Sequence, residues 1–208
     1  MILTFDLFMK LIDGIKQLGK PFEIPDSTRN DLPQLLKDLG YKEGAEIGVY
    51  RADYTKKFCE AGLKMFAIDP WMGYIGAGRS EKVQEMQDYN YECAQKNVAQ
   101  YPDCKLIRKS SMDALEDFKK ESLDFVYIDG DHRFPFIAED IYFWYDKVKK
   151  GGVICGDDYF CTSPEANNVQ CHVEPVVNAF VETKRIPNFY IIGRKDKKPS
   201  WIIFKPKE

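Results

Sequence analysis

The hydrophobic positions of this chain alternate between two rhythms. Short apolar runs bounded by Gly, Pro or Asp read as strands, and longer stretches with an apolar residue every three or four positions read as helices. Strands are predicted at 45–50, 65–68, 105–108, 123–128 and 151–155, with helices at 52–62, at 81–100, from about 111, and at 135–149 between them. Such alternation builds a parallel sheet with helices on both faces. A helix at 174–184 follows. Strands at 189–192 and 201–204 then share a short link carrying Gly193 and Lys195 to Lys198, so a closing hairpin is expected. Ahead of the sheet, Phe5, Phe8, Leu11, Ile12 and Ile15 recur at helical spacing over 4–18. That apolar face either packs beside the sheet or serves as a substrate cover or dimer contact. A polar break runs from Gly19 to Asn30, and Asp31-Leu32-Pro33 opens a short helix with Asp31 as N-cap and Gly40 at its end. The fold class read from this pattern is α/β, doubly wound and mostly parallel. It forms a single domain over 1–208, with accessory helices in 1–40 and the core in 41–208.

The stretch from Ala45 to Asp69 is one strand–turn–helix–strand unit ending in an acid. In such units the ligand lies beyond the carboxyl ends of the strands, and an acid about 20 residues past the glycine turn takes the ribose hydroxyls. Asp69 stands there. A dinucleotide site needs several glycines so that backbone N–H groups approach a pyrophosphate. Here Gly48 is nearly alone, Ala52 takes the later glycine position, and Glu46 would repel a phosphate. A cationic ligand is therefore expected.

Composition adds bounds. At 208 residues and 44% hydrophobic content, one full core is favoured over two domains. The 30 basic and 33 acidic residues nearly cancel, which disfavours a nucleic-acid partner. Six cysteines without a C-x-x-C pair read as reduced, mostly buried thiols, with a metal loop at Cys161, Cys171 and His172 as the weaker alternative. Met1 to Leu18 is amphipathic and charged, so neither a signal peptide nor a membrane span is read, and a cytoplasmic enzyme is expected.

The densest chemistry follows two strands. Leu123–Ile128 runs into Asp129-Gly130-Asp131-His132, and Gly151–Cys155 runs into Gly156-Asp157-Asp158-Tyr159. If the strands are neighbours, Asp129, Asp157 and Asp158 crowd one rim and repel one another unless protonated or bridged by a cation such as Mg2+, Mn2+ or Ca2+. The alternative is that one or two of them cap a turn or helix. His132, one of only two histidines, is a candidate proton acceptor, or else a metal ligand or a helix-start residue. Asp131 could orient its ring or be a ligand. The segment 160–172 is loop-like and could overhang an acceptor.

Glu46-Ile47-Gly48-Val49-Tyr50-Arg51-Ala52 resembles the first motif of class I S-adenosylmethionine-dependent methyltransferases. Leu-Asp-Phe-Val-Tyr-Ile-Asp129 with Gly-Gly-Val-Ile-Cys-Gly-Asp157-Asp158 resembles the paired motifs of the metal-dependent O-methyltransferases of the catechol and caffeoyl-CoA type. The run Ile-Asp-Gly-Asp-His is similar to that of macrolide-sugar O-methyltransferases. The likeness covers roughly Glu43 to Tyr159. It implies a seven-stranded Rossmann-like sheet with one antiparallel strand, S-adenosylmethionine as cofactor, Mg2+ on Asp129, Asp157 and Asp158, and a small-molecule or sugar hydroxyl as acceptor. In the catechol type an asparagine stands where Asp158 falls and a lysine base where His132 falls. The resemblance further implies that Glu46, Gly48, Tyr50 and Arg51 line the methionine portion and that Asp69 takes the ribose. Ser111 and Met112 would border the adenine, although capping alone would account for Ser111. Trp71 either stacks on adenine or is a core or lid residue. Rival readings are a metal-independent methyltransferase, a NAD-binding oxidoreductase, and a non-catalytic nucleotide-binding domain.

Overall fold

The computed structural model describes residues 11–73, 81–160, 171–194, 196 and 198–207. Its strands are β1 (Phe22–Glu23), β2 (Glu43–Ile47), β3 (Lys64–Ile68), β4 (Cys104–Ile107), β5 (Leu123–Ile128), β6 (Val148–Gly156), β7 (Phe189–Ile192) and β8 (Ser200–Phe204). The helices are α1 (Leu11–Gly14), α2 (Leu32–Asp38), α3 (Asp53–Glu60), α4 (Glu81–Val98), α5 (Ser111–Ala114), α6 (Phe134–Tyr145) and α7 (Val173–Thr183). They surround one sheet of order β1-β7-β8-β6-β5-β2-β3-β4. Only β8 runs antiparallel, pairing with β6 and β7. The sheet has eight strands rather than the expected seven, because the polar break ahead of α2 contributes the two-residue β1 to the β7 edge.

Strand residues alternate between two apolar layers, as a period of two requires. On β5, Val126 and Ile128 join the layer of Ile137, Ile141 and Trp144 on α6 and Val177 on α7. Phe125 and Tyr127 face the opposite layer with Leu32 and Leu36 of α2 and Phe58 of α3.

Several expected boundaries shift. The N-terminal helix is described only from Leu11 and ends at Gly14 rather than Leu18; Phe5 and Phe8 lie outside the described residues. Asp31 does not cap α2 with its side chain. A 3-10 turn at Arg29–Asp31 precedes that helix, and the Asp31 carboxylate instead accepts from the Thr28 N–H at 2.7 Å in a capping box. The helix expected to reach Lys149 stops at Tyr145, since the apolar Val148 already belongs to β6. Cys171 is in a disulfide, which corrects the reading of six reduced thiols; Cys59, Cys93, Cys104 and Cys155 are free. Among the described residues no helix is long and apolar enough to cross a membrane.

What matters most for the site is how the central strands end. Gly48 N–H bonds to Ile68 O at 2.9 Å, Asp129 N–H to Ile47 O at 2.8 Å, and Asp157 N–H to Ile128 O at 3.1 Å, so the ends of four strands, β3, β2, β5 and β6, are stitched in step. Gly48 has φ +84°, and a Cβ there would lie 2.2 Å from Asp129 O. Gly48→Ala therefore combines a positive φ, costing about 1–3 kcal/mol, with a collision against backbone that cannot yield. Urea unfolding of this variant is expected to show a loss at the upper end of that range or beyond. A loss below about 1 kcal/mol would mean that the turn and the β5 end are not locked together.

Candidate active site

The turn after β2 has positive φ at Gly48, Tyr50 and Ala52. Side chains normally avoid this region, so a run of alternate left-handed residues must be over-determined by its surroundings. Asp69 supplies that determination. Its Oδ2 accepts from Val49 N–H at 2.9 Å and Tyr50 N–H at 3.0 Å, and its Oδ1 from Trp71 N–H at 2.7 Å. The acid expected to take ribose hydroxyls thus spends much of its acceptor capacity inside the protein, and the turn amides are not free for a pyrophosphate.

A cavity of about 420 Å³ opens beside this turn, within the roughly 300–1,000 Å³ usual for small-molecule sites. It brings together Glu46, Gly48, Tyr50, Asp69 and Asp129 of the predicted residues. Four acids line it (Glu46, Asp53, Asp69 and Asp129), against one lining cation among the described residues, Arg29. Glu46 is buried and accepts from the Thr55 hydroxyl. Burial lifts its pKa to about 8; the Thr55 bond and Arg29 pull down while Asp129 pushes up.

Other predicted residues lie elsewhere. Arg51 turns to Asn90, with Nε 3.0 Å from its Oδ1, and stacks on Tyr50 and Tyr89. Trp71 is 0% exposed, packs on Tyr91, and donates Nε1–H to Tyr50 O at 2.7 Å, so it braces the turn from behind. Ser111 does not cap α5; Ser110 does, accepting from Asp113 N–H at 3.1 Å. Ser111 instead accepts from Trp144 Nε1 at 2.7 Å and donates to Asp140, while Met112 packs against the core. Of the segment read as overhanging an acceptor, residues 161–170 lie outside the described residues.

The acid rim forms as expected at the adjoining ends of β5 and β6, but it already holds positive charge. Arg29, from the 3-10 turn ahead of α2, donates one terminal nitrogen to Asp129 Oδ2 at 2.8 Å and the other to Asp157 Oδ2. Ser200 donates to Asp157 Oδ1 at 3.0 Å. Lys198 donates to Asp158 Oδ2 at 3.0 Å. His132 Nδ1 lies 3.1 Å from Asp158 Oδ2, and its buried Nε2 has no hydrogen-bond partner among the described residues. Asp131 does not orient the imidazole; it pairs with Arg133.

Burial raises the Asp129 and Asp157 pKa values. Arg29 pulls both down, and the neighbouring acids add to the rise. Burial works the same way on Asp158, but His132 and Lys198 more than offset it and its pKa falls below the carboxylate range. Burial would lower the His132 pKa; its bond to Asp158 and the charges of Asp158 and Asp129 reverse this, so the imidazole titrates above its ordinary value. Ligand atoms of Asp129, His132 and Asp158 all lie within 4.8 Å of one another. Three such groups could hold a divalent ion; Asp157, held by Arg29 and Ser200, is not among them.

Sequence reasoning missed Arg29, Tyr54, Thr55 and Lys198. Arg29 had one signal, the Thr28–Asp31 capping box, which fixes a turn where a structureless break was read.

The model of a family described as a methyltransferase domain matches residues 46–159. An uncharacterized protein of Sinorhizobium fredii is 24% identical over 132 residues, covering 60% of this chain, and the chain spans only 14% of that relative's length. Solved structures share the fold. A Bacillus cereus O-methyltransferase with S-adenosylhomocysteine aligns with TM-score 0.57 at 19% identity over 85% of this chain and 80% of its own. A Streptomyces achromogenes O-methyltransferase of tomaymycin synthesis, bound to S-adenosylmethionine, gives 0.58 at 14%, over 88% and 83%. A Bradyrhizobium japonicum N-methyltransferase gives 0.57 at 12%, over 87% and 90%. Oxygen and nitrogen methylators fit equally well, so the fold leaves the accepting atom to the site's chemistry.

Asp140 beneath this site is 4% exposed, and burial raises its pKa to about 7, with Ser111 pulling down and Glu139 and Asp131 pushing up. Its folded pKa exceeds the unfolded value of about 3.9, so ionisation costs stability as pH rises from about 4 through 7. Asp140→Asn is expected to be more stable than wild type at pH 8, by on the order of 2 kcal/mol. The advantage should vanish near pH 4. Thermal melts at both pH values check this, and a constant difference would contradict it.

Proposed function

The chain belongs to the methyltransferase-domain family, and from this premise we propose that it transfers the methyl group of S-adenosylmethionine to a hydroxyl oxygen of a small-molecule or sugar acceptor. His132 is the base, and a divalent cation, Mg2+ in the first instance, would be held by Asp129, Asp157 and Asp158. The observation that carries this reading is the Asp158–His132 pair at the acid rim beside the cavity, with Nε2 making no hydrogen bond among the described residues and lying 3.8 Å from Asp129 Oδ1.

When bound, the cofactor supplies an electrophilic methyl on a positive sulfur, and the divalent cation makes the acceptor hydroxyl more acidic. The chain's own part is positioning and proton transfer. Asp158 fixes Nδ1, leaving Nε2 as the lone-pair site that takes the hydroxyl proton. Glu46 sits where it can meet the methionine ammonium, and Tyr50 and Gly48 shape the wall around it. Asp69 retains one acceptor direction for the ribose after holding three backbone amides.

Two features weigh against a nicotinamide enzyme: the lining acids repel a pyrophosphate, and the amides that would bind it are engaged by Asp69. A metal-independent form of the same transfer draws support from Arg29 and Lys198, which already neutralise part of the rim. Thorough chelation with EDTA separates the two, since loss of single-turnover methyl transfer, restored by Mg2+, is expected for the metal form.

His132→Gln is expected to lower kcat by about 10²–10⁴-fold while S-adenosylhomocysteine binding, read by calorimetry, stays within about threefold of wild type. Unchanged turnover would remove the base assignment. Glu46, with its pKa near 8, is largely protonated at pH 7 in the empty site. Binding an ammonium beside it favours the charged form, so S-adenosylhomocysteine binding should release a proton. Calorimetry in buffers of different ionisation enthalpy should detect that proton in wild type and not in Glu46→Gln; equal release in both would place the ligand's cation elsewhere.

A further inference from the structure

Arg29 has no part in the proposed transfer, yet it is the most elaborately held side chain of the site. Its carbonyl accepts the Tyr54 hydroxyl at 2.7 Å, and its guanidinium carbon lies 4.0 Å from the Tyr54 ring centroid and 5.4 Å from that of Tyr127. The turn that carries it is closed by the Thr28–Asp31 capping box and tied to the β7–β8 link through Gly193 N–H to Ser27 Oγ at 3.3 Å. The fork then reaches two acids that belong to different strands, Asp129 after β5 and Asp157 after β6. Its Nε is buried with no hydrogen-bond partner among the described residues. The two carboxylates are therefore its polar anchors, and no separate acceptor holds it in their absence. Burial opposes its charge, and Tyr127, Asp129 and Asp157 more than compensate.

We propose that Arg29 is an internal competitor for the divalent cation: its guanidinium occupies the Asp129–Asp157 pair in the empty site and must release that pair before both acids can serve a metal. The inference rests on the reading of these acids as cation ligands given above. Two ionised carboxylates on adjoining strand ends are stable only with a positive partner, and Arg29 supplies it when no ion is bound. Lys198 does the same for Asp158 but is 62% exposed and returns to water cheaply; Arg29, packed against the adjoining Tyr54 and Tyr127 rings, does not. The accessory segment before α2 thereby sets the affinity of a site built on the sheet. Even an ion on Asp129, His132 and Asp158 shares Asp129 with Arg29, whose terminal nitrogen lies 2.8 Å from Asp129 Oδ2.

The test is Mn2+ and Mg2+ binding to full-length wild type, Arg29→Met and Arg29→Lys, followed by Mn2+ electron paramagnetic resonance and calorimetry, with thermal melts before and after metal. Arg29→Met is expected to bind Mn2+ about tenfold more tightly or better, since a competing unit charge a few ångströms away is gone. It should melt lower than wild type without metal and gain more on adding it. Arg29→Lys, which keeps the charge but cannot fork to both acids, should fall between. Affinity in Arg29→Met equal to or below wild type overturns the proposal. Should that variant fail to fold, Arg29→Lys decides, and affinity no tighter than wild type overturns it equally. S-adenosylhomocysteine binding by the same wild-type sample keeps the two readings apart. Cofactor binding with metal affinity indifferent to residue 29 removes the competitor and leaves the methyltransferase; binding of neither ligand removes both.

Discussion

Carboxylates on neighbouring strand ends cannot stay ionised together in a buried place without positive charge among them, and the rest of this site follows from that constraint. Asp129 and Asp157 come into step because β5 and β6 pair with Ile128 opposite Gly156. The pairing is close because position 156 carries no side chain: a Cβ there would lie 2.4 Å from Ile128 O and 2.7 Å from the Trp201 ring. Strand register thus sets a distance between charges, and that distance sets a requirement for cations. The chain meets it with Arg29 and Lys198, both drawn from outside the central strands, and with His132, whose pKa rises in response.

The cavity obeys the same logic. A fold in which strand ends point at the ligand usually meets phosphate with free amides and helix dipoles. Here the turn amides are consumed by Asp69, and Glu46 sits at the turn's entrance. What remains for a guest is negative charge and a carboxyl poised to ionise when a cation arrives. The sheet alone does not choose between phosphate and cation; here the engaged Val49 and Tyr50 amides and the lining acids disfavour phosphate.

Much of the fold was legible because strands and helices write their periods into the chain. β5 was read to the residue, and the rim of Asp129, Asp157 and Asp158 followed from two strands ending in acids. The failures share a cause. Arg29, Tyr54 and Lys198 act across long chain separations, and nothing in local pattern records that a side chain at position 29 will meet one at 157. Trp71, read as an adenine platform or a core residue, takes the core position with its Nε1–H on Tyr50 O, and Ser111, set near the adenine only by the resemblance, accepts from Trp144 Nε1. Asp131 lost the imidazole to Asp158 because Arg133, two residues on, was the easier partner.

The glycine-poor turn is the most instructive departure. Its residue types argued against a nucleotide-binding loop, yet its backbone takes positive φ at positions 48, 50 and 52, the alternate spacing that several glycines would provide. Only at Gly48 is the missing Cβ a necessity, since Asp129 O occupies the space. At Tyr50 and Ala52 the conformation is imposed, by Asp69 gripping the Val49 and Tyr50 amides and by Trp71 bonding to Tyr50 O. Left-handed backbone at a residue with a side chain costs on the order of 1–2 kcal/mol, a sum these charge-assisted bonds can offset. The shape of the loop is therefore specified from twenty residues downstream. A motif defined by glycines underestimates such a site, because the acid after β3 shapes the turn as well as lining the cavity beside it.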